Sequence, residues 1–315
     1  MKLPELRIGN ITPRFPIIQG GMSVSVSTAP LAGAVAKAGG IGVIGATGIS
    51  TGKLTEEIRE ARSLSGGGII GVNIMFAARD FAELVQTSIR EGIDVIFTGA
   101  GFSRDIFRWV KDSRTEVVPI VSSARAARLA ERSGAKAVVA EGSEAGGHLG
   151  TEQSIKEILP EIVKEVKIPV IAAGGLIDGY DMAEMVNLGA GGVQMATRFV
   201  LSEECTVSSH YKQAYLAARE EDVIIIKSPV GMPGQAIRNN FTKLIYQGEA
   251  PKPDHCDACL RECSRDYCIL QALNNAKNGL LDEGIIFAGK NVAKINSILP
   301  VEAIFNKILT EYATV

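Results

Sequence analysis

The chain has 315 residues, of which 46% are hydrophobic and 22% are charged, a composition typical of soluble globular proteins. Its formal net charge of −2 gives no electrostatic attraction to nucleic acids or anionic membranes. No apolar run reaches the roughly 18 residues of a membrane-spanning helix, and the polar N-terminus does not resemble a signal peptide. We expect a cytoplasmic homodimer that acts on a small-molecule substrate, with neither nucleic acid nor membrane as partner.

Short apolar runs rich in Val, Ile and Ala recur through the first 200 residues. Each run is four to six residues long and ends near a glycine or a small polar residue, as expected of strands buried on both faces. The runs cover residues 16–20, 41–45, 69–73, 94–98, 117–121, 137–141, 169–174 and 192–196.

Segments with helical periodicity lie between most of these runs. Asp178 is predicted to begin one of them as its N-cap, and Gly189 to end it. Eight strands that alternate with helices predict an α/β fold, the (β/α)8 or TIM barrel. A doubly wound sheet is the alternative, but no G-x-G-x-x-G turn follows the first strand. The predicted helices are residues 29–38, 54–64, 80–91, 124–132 and 178–188.

The alternation stops after residue 200. Residues 205–250 are mixed, with a helix predicted at 210–219, and residues 269–315 carry Leu, Ile and Phe at helical spacing. We therefore predict a barrel domain at residues 1–240 and a small, mostly helical, cysteine-containing region at residues 241–315.

The carboxyl ends of the last two predicted strands indicate a phosphate site. In such barrels the reactive groups gather at these ends of the strands. Residues 172–176 contain a double glycine, and residues 194–198 continue into a short helix. Glycine lets backbone N–H groups come close to a phosphate, because no Cβ holds it away. A tight turn without a ligand is the alternative reading of the double glycine.

Two other strand ends fit a flavin mononucleotide (FMN). The amide of Asn73 suits the edge of the flavin ring system, and Gly21 lies beside Met22 after the first strand. The polarisable thioether of Met22 suits a ring face, although packing in the core explains this methionine equally well.

The segment AEGSEAGGHLG at residues 140–150 places a histidine after a double glycine at the end of the sixth strand. Gly146 and Gly147 allow a sharp turn close to a flat ligand. His148 would then lie at the barrel mouth, as a general acid or base or as a donor to a developing negative charge. Glu141 or Glu144 would orient it or tune its pKa.

Six segments occur in a fixed order within residues 6–240: FPIIQGGMS, AGAVAKAGGIGVIG, GVNIM, AEGSEAGGHLG, PVIAAGGLIDG and GAGGVQMATRFV. Together they resemble the nitronate monooxygenase (2-nitropropane dioxygenase) family and, equally, its sister group, the type II FMN-dependent enoyl-ACP reductases. The resemblance implies a TIM barrel with non-covalent FMN at residues 1–240. It implies His148 as the active-site histidine, and Glu141 as an acidic position of the reductase branch. The cofactor-binding positions that it implies are Gly21, Met22, Asn73, Glu141, Gly146, Gly147, Gly174, Gly175, Gln194, Met195, Ala196 and Thr197.

The resemblance leaves two reactions open. Our first hypothesis is oxidation of nitronates or nitroalkanes, with electrons passing through FMN to O₂. The alternative is an NAD(P)H-dependent enoyl-thioester reductase, in which His148 is the proton donor. A flavin-binding redox sensor without turnover is a hypothesis of another class. A phosphosugar lyase or isomerase would want a lysine or paired carboxylates at the strand ends, which the sequence lacks.

Four cysteines lie within thirteen residues, with C-x₂-C-x₃-C-x₄-C spacing: Cys256, Cys259, Cys263 and Cys268. In a cytoplasmic protein this spacing favours a metal over disulfides. A [4Fe–4S] cluster and a zinc ion both suit four thiolates, and four unliganded thiols are the remaining alternative. The fifth cysteine, Cys205, is predicted to be buried.

Overall fold

A computed structural model describes residues 2–253 and 255–315 of the chain. Eight parallel strands form a closed barrel in chain order, and the strand at residues 192–195 closes it by pairing with the strand at residues 17–19. The predicted TIM barrel is therefore confirmed. The strands are β1 (Ile17–Gln19), β2 (Ile41–Gly45), β3 (Ile69–Met75), β4 (Val95–Gly99), β5 (Glu116–Val121), β6 (Val138–Glu141), β7 (Gly147–His148), β8 (Val170–Ala173), β9 (Gly192–Met195), β10 (Val223–Lys227) and β11 (Pro233–Ile237).

The helices follow the strands in the order typical of this barrel. All five predicted helices are present, and the structure adds others, among them the helix at 155–165. They are α1 (Ala29–Lys37), α2 (Thr51–Leu64), α3 (Phe81–Arg90), α4 (Asp105–Trp109), α5 (Ala124–Ser133), α6 (Ile155–Glu165), α7 (Gly179–Asn187), α8 (Thr197–Val200), α9 (Ser209–Ala217), α10 (Asn240–Gln247), α11 (Ile269–Lys277) and α12 (Val301–Ala313).

Local signals in the sequence set the ends of several helices. The side chain of Asp178 accepts a hydrogen bond from the N–H of Asp181, which makes it the predicted N-cap of α7. Helix α6 begins with a capping box, in which Ser154 and Glu157 satisfy each other's backbone N–H groups. Helix α5 ends at Gly134, whose φ of 113° is left-handed.

The hydrophobic core has two layers, because successive side chains of a strand point to opposite faces. Side chains such as Ile41, Val43 and Phe97 fill the inside of the barrel. Side chains on the other face of the strands, such as Ile44 and Ile70, pack against the helices. Helix α1 lies so close to β2 that a Cβ on Gly42 would come within 1.8 Å of the carbonyl oxygen of Ala32.

A second, antiparallel sheet covers one side of the barrel mouth. Strand β11 pairs with β10 along its whole length and with β7 at two positions. Gly234 lies opposite His148, and Gln235 lies opposite Gly147. This pairing fixes the backbone of the predicted active-site histidine.

The region after residue 240 contains helices, as predicted, but the stretch between α11 and α12 is mostly irregular. Helix α12 packs against α7 and α1 on the outside of the barrel. Leu260 forms a bridge with Ala78, so the segment with the cysteines lies against the loop after β3. Within the described residues, no helix is both long and apolar enough to span a membrane.

Candidate active site

A pocket opens at the carboxyl ends of the barrel strands, with about 1110 Å³ of empty space that is partly open to solvent. This is the end of the barrel at which reactive groups gather. The predicted site residues that line it are Gly21, Met22, Asn73, Glu141, Gly146, Gly147, His148, Gln194, Ala196 and Thr197.

Asn73 presents an unused hydrogen-bond acceptor in this pocket. Its Nδ2 donates to the carbonyl oxygen of Gly21 at 3.1 Å, whereas its Oδ1 is buried and has no partner among the described residues. A Cβ on Gly21 would lie 2.3 Å from the Cβ of Asn73, so only glycine lets the two residues pack this closely. An unpaired buried acceptor is costly, and a ligand N–H would remove that cost.

The turn at Gly146 and Gly147 brings His148 into the pocket wall. A Cβ on Gly146 would lie 2.6 Å from the carbonyl carbon of Ala288, and Gly147 has a left-handed φ of 90°. The Nε2 of His148 lies 2.8 Å from the Oγ of Ser228, and its ring stands edge-on to Phe287. Burial lowers the pKa of His148 to about 4, so the imidazole is neutral at pH 7.

Glu141 is the one carboxylate among the residues that line this pocket. Part of its side chain stays open to the pocket. Burial raises the pKa of Glu141 to about 7, so this carboxyl group titrates near neutral pH. Glu144 has a different role, because its carboxylate accepts hydrogen bonds from the Ser154 hydroxyl and from the N–H of Ile155 at the start of α6.

Comparison with known proteins identifies the family. The model of the family described as nitronate monooxygenase matches residues 5–311. The chain belongs to the nitronate monooxygenase family. The prediction of an oxidoreductase of this family is therefore confirmed.

Two curated relatives of this family member carry different names. A Mycobacterium tuberculosis protein named (3aS,4S,5R,7aS)-5-hydroxy-7a-methyl-1-oxo-octahydro-1H-indene-4-carboxyl-CoA dehydrogenase is 32% identical over 236 residues, covering 74% of this chain. A Staphylococcus aureus protein named probable nitronate monooxygenase is 30% identical over 286 residues, covering 76% of this chain. The matched region spans 66% of the mycobacterial protein, just under two thirds of its length, and 80% of the staphylococcal one.

Solved structures share the fold over almost the whole chain. FabK from Thermotoga maritima is 35% identical with a TM-score of 0.88, and the match covers 96% of this chain and 94% of that one. A nitroalkane oxidase from Streptomyces ansochromogenes has a TM-score of 0.83 at 23% identity, with 96% of both chains covered. At that identity the second likeness shows the fold alone.

Three predicted cofactor residues of this family member lie outside the pocket wall: Gly174, Gly175 and Met195. The side chain of Met195 belongs to the layer between barrel and helices. The carbonyl of Gly175 accepts a hydrogen bond from Asn291 at 2.8 Å, and a Cβ on Gly175 would lie 2.8 Å from the Cβ of Glu144. The double glycine therefore packs closely against protein, and its part in binding a phosphate stays a prediction.

Sequence reasoning missed an apolar wall of the pocket that comes from outside the barrel strands. Tyr211 and Tyr215 of α9, Leu273 of α11 and Phe287 all line it. Burial raises the pKa of Tyr211 to about 12, so this phenol stays protonated at neutral pH. Two tyrosines four residues apart on a predicted helix were the available signal, because such residues share one helix face.

The four clustered cysteines do not line the pocket. Cys256 and Cys263 are exposed, and Cys259 and Cys268 are partly buried. Burial raises the pKa of Cys259, with a smaller contribution from Cys268. In residues 2–253 and 255–315 no group of three or more Cys, His, Asp or Glu side chains is placed to hold a metal ion. The described residues therefore do not support the predicted zinc or iron–sulfur site, and we assign no chemical step to a metal. Cys205 is buried, as predicted.

The other two histidines do not line this pocket. His210 is exposed. His255 is exposed as well and lies 3.3 Å from a carboxylate oxygen of Asp257. His148 is thus the histidine that the fold brings to the barrel mouth.

Proposed function

We propose that this chain is an FMN-dependent oxidoreductase that reduces the carbon–carbon double bond of α,β-unsaturated acyl thioesters. The observation that carries this proposal is the charge of the pocket. Of the described residues that line it, none is lysine or arginine, and Glu141 adds a carboxyl group. A nitronate is an anion, and burying it beside a carboxylate without a cation is unfavourable. An enoyl thioester is neutral and avoids this cost.

The residues of the pocket fit the ring system of FMN. The unpaired Oδ1 of Asn73 needs an N–H donor, and the flavin ring system carries one on its edge. The Gly146–Gly147 turn lines the pocket without side chains of its own, which leaves room for a flat ligand. Asn73, Gln194 and Thr197 would supply polar contacts to the cofactor, and Met22 would contact a ring face.

When bound, FMN supplies two-electron hydride transfer. Reduction of the double bond adds a hydride to the β-carbon of the acyl group and a proton to its α-carbon. The neutral imidazole of His148 would donate a hydrogen bond to the thioester carbonyl and stabilise the negative charge that develops there. The carboxyl group of Glu141 would give the proton, because its pKa of about 7 lies near the working pH.

The names of the two curated relatives indicate two different classes of substrate. The mycobacterial relative is named a dehydrogenase of a carboxyl-CoA, which is a thioester. The staphylococcal relative is named a probable nitronate monooxygenase, and its match covers more of its own length. Nitronate oxidation is therefore the second candidate, although it needs an anion to bind beside Glu141.

Three further assignments belong to this proposal. NADH or NADPH would supply the electrons for the reduction. A cytoplasmic location would suit the five cysteines, which are all free thiols, because the cytoplasm keeps thiols reduced. A homodimer stays a prediction.

Steady-state turnover of the FMN-loaded protein tests the proposed function. We expect a 2-enoyl-CoA to be consumed with one equivalent of NADH or NADPH. Oxygen uptake with a nitronate, without consumption of enoyl-CoA, would favour the second candidate. A protein that does not take up FMN would contradict both.

A further inference from the structure

Ser228 lies directly behind the active-site histidine. It follows β10, in the loop at residues 228–232 that leads to β11, and its side chain is 4% exposed. Its Oγ is 2.8 Å from the Nε2 of His148, and this is the one side-chain hydrogen bond of the histidine among the described residues. No similar contact joins His148 to Glu141 or Glu144.

The surroundings of Ser228 indicate the direction of this hydrogen bond. The N–H of Val230 points to the Oγ of Ser228 at 3.4 Å, so the hydroxyl oxygen already acts as an acceptor. The hydroxyl hydrogen still needs an acceptor, and the Nε2 of His148 is the one that the hydrogen bonds of the described residues provide. A neutral imidazole carries one proton, and a ring that accepts at Nε2 must carry that proton on Nδ1.

The cysteine segment, residues 256–268, holds this loop from behind. The hydroxyl of Tyr267 donates to the carbonyl oxygen of Lys227 at 3.0 Å. The N–H of Ser264 donates to the carbonyl oxygen of Pro229 at 3.1 Å. Tyr267 is 2% exposed and packs edge-on against Phe241. Two contacts therefore fix the backbone on both sides of Ser228.

We propose that Ser228 is a positioning residue that donates to the Nε2 of His148, holds the ring as the Nδ1–H tautomer and so presents Nδ1–H to the substrate carbonyl. Tyr267 supports it by fixing the loop. The role in catalysis rests on the proposed function, in which His148 donates a hydrogen bond to the thioester. The tautomer itself does not depend on which substrate the enzyme uses. Orienting partners of this kind act by fixing the tautomer and the ring orientation.

Nuclear magnetic resonance of the FMN-loaded protein, with ¹⁵N-labelled histidine, tests the tautomer directly. Only three histidines are present, and the other two are exposed, so single substitutions His210→Asn and His255→Asn assign the signals. We expect His148 to show a protonated Nδ1 and an unprotonated Nε2 at pH 7. A protonated Nε2 in the wild-type protein would overturn the proposal.

Ser228→Ala should then release the ring, giving a mixture of tautomers or the Nε2–H form. Ser228→Thr keeps the hydroxyl and should restore the Nδ1–H form. Ser88→Ala is the matched control, because Ser88 is also buried but donates to the carbonyl of Leu84 within its own helix. An unchanged tautomer in Ser228→Ala would overturn the proposal.

Kinetics separate this inference from the proposed function. With an enoyl-CoA, Ser228→Ala should lower kcat about 10- to 100-fold with little change in KM, by analogy with the partners that orient metal-bound histidines. Tyr267→Phe should lower kcat by a smaller factor. Tyr312→Phe is its control, because the Tyr312 hydroxyl also donates to a backbone carbonyl at 3.0 Å, that of Lys2.

Two combinations of results would distinguish the positioning role of Ser228 from the proposed substrate. A tautomer that responds to Ser228→Ala, in a protein that does not turn over enoyl-CoA, would keep the positioning role and reject the proposed substrate. Turnover of enoyl-CoA that Ser228→Ala leaves unchanged would keep the substrate and reject the positioning role.

Discussion

Replacing Glu141 with glutamine tests the electrostatics of the pocket without a substrate. The pKa of this carboxyl group rises from 4.5 to about 7 in the folded protein because of burial. Between these two pH values the folded state holds a proton that the unfolded state releases. The stability that this group contributes at low pH is therefore lost as the pH rises through about 7.

The size of the effect follows from the two pKa values. A difference of about 2.5 pKa units corresponds to about 3 kcal/mol in the free energy of unfolding. Part of the side chain remains open to the pocket, so we expect a measured effect of about 1 to 3 kcal/mol. Glu141→Gln removes this titration. The free energy of unfolding of the variant minus that of the wild type should therefore rise by about 1 to 3 kcal/mol between pH 4.5 and pH 8.

Urea unfolding of the flavin-free protein, followed by the fluorescence of its single tryptophan, Trp109, measures this difference. Glu161→Gln on α6 is the control, because Glu161 is exposed. Effects of other groups, including His148, cancel in the comparison of variant and wild type. A stability difference that does not change with pH would refute the reasoning.

Three further predictions concern the site and the cysteines. His148→Asn should keep FMN, seen in the visible spectrum of the purified protein, but lower kcat with enoyl-CoA by about 100-fold or more; an unchanged kcat would remove this residue from the mechanism. Asn73→Ala should weaken FMN binding up to about 10-fold in fluorescence titrations, because one hydrogen bond to a neutral partner is lost; equal affinity would contradict the predicted contact. In thiol titrations of the native protein, the exposed Cys256 and Cys263 should react first and the buried Cys205 only after unfolding; protection of all four clustered thiols until a chelator is added would instead support a metal.

The barrel could be predicted because its strands are buried on both faces. Such strands form short, continuous apolar runs, and residues 41–45 and 192–196 differ from the observed β2 and β9 by at most one residue. The strand ends then place Asn73, Glu141 and His148 at one edge of the barrel, since parallel strands share a direction. The fold therefore follows from local patterns together with one topological rule.

The second sheet and the serine behind His148 could not be predicted in the same way. Strand β7 has only two residues, too few for any periodicity, and it exists because β11 pairs with it. Ser228 is 80 residues from His148 along the chain. A contact of this kind depends on how distant segments pack, which the local sequence does not encode. The apolar wall from Tyr211, Tyr215 and Phe287 was missed for the same reason.

The double glycine at residues 174–175 shows a different limit. Its backbone is left-handed, with φ of 111° at Gly174 and 70° at Gly175, as a tight turn allows. The sequence does not say what lies next to such a turn. In the structure Glu144 and Asn291 pack against it, so a glycine pair alone does not distinguish close packing from a phosphate site.

Anaerobic stopped-flow spectroscopy of the flavin tests the central claim most directly. The FMN-loaded protein is mixed with NADH, NADPH or a nitronate, and the flavin band at about 450 nm is followed. The reduced protein is then mixed with a 2-enoyl-CoA. The proposed function predicts bleaching by a nicotinamide and recovery of the band with enoyl-CoA, in the absence of oxygen. Bleaching by the nitronate alone, with no recovery on enoyl-CoA, would contradict it and identify a nitronate oxidase.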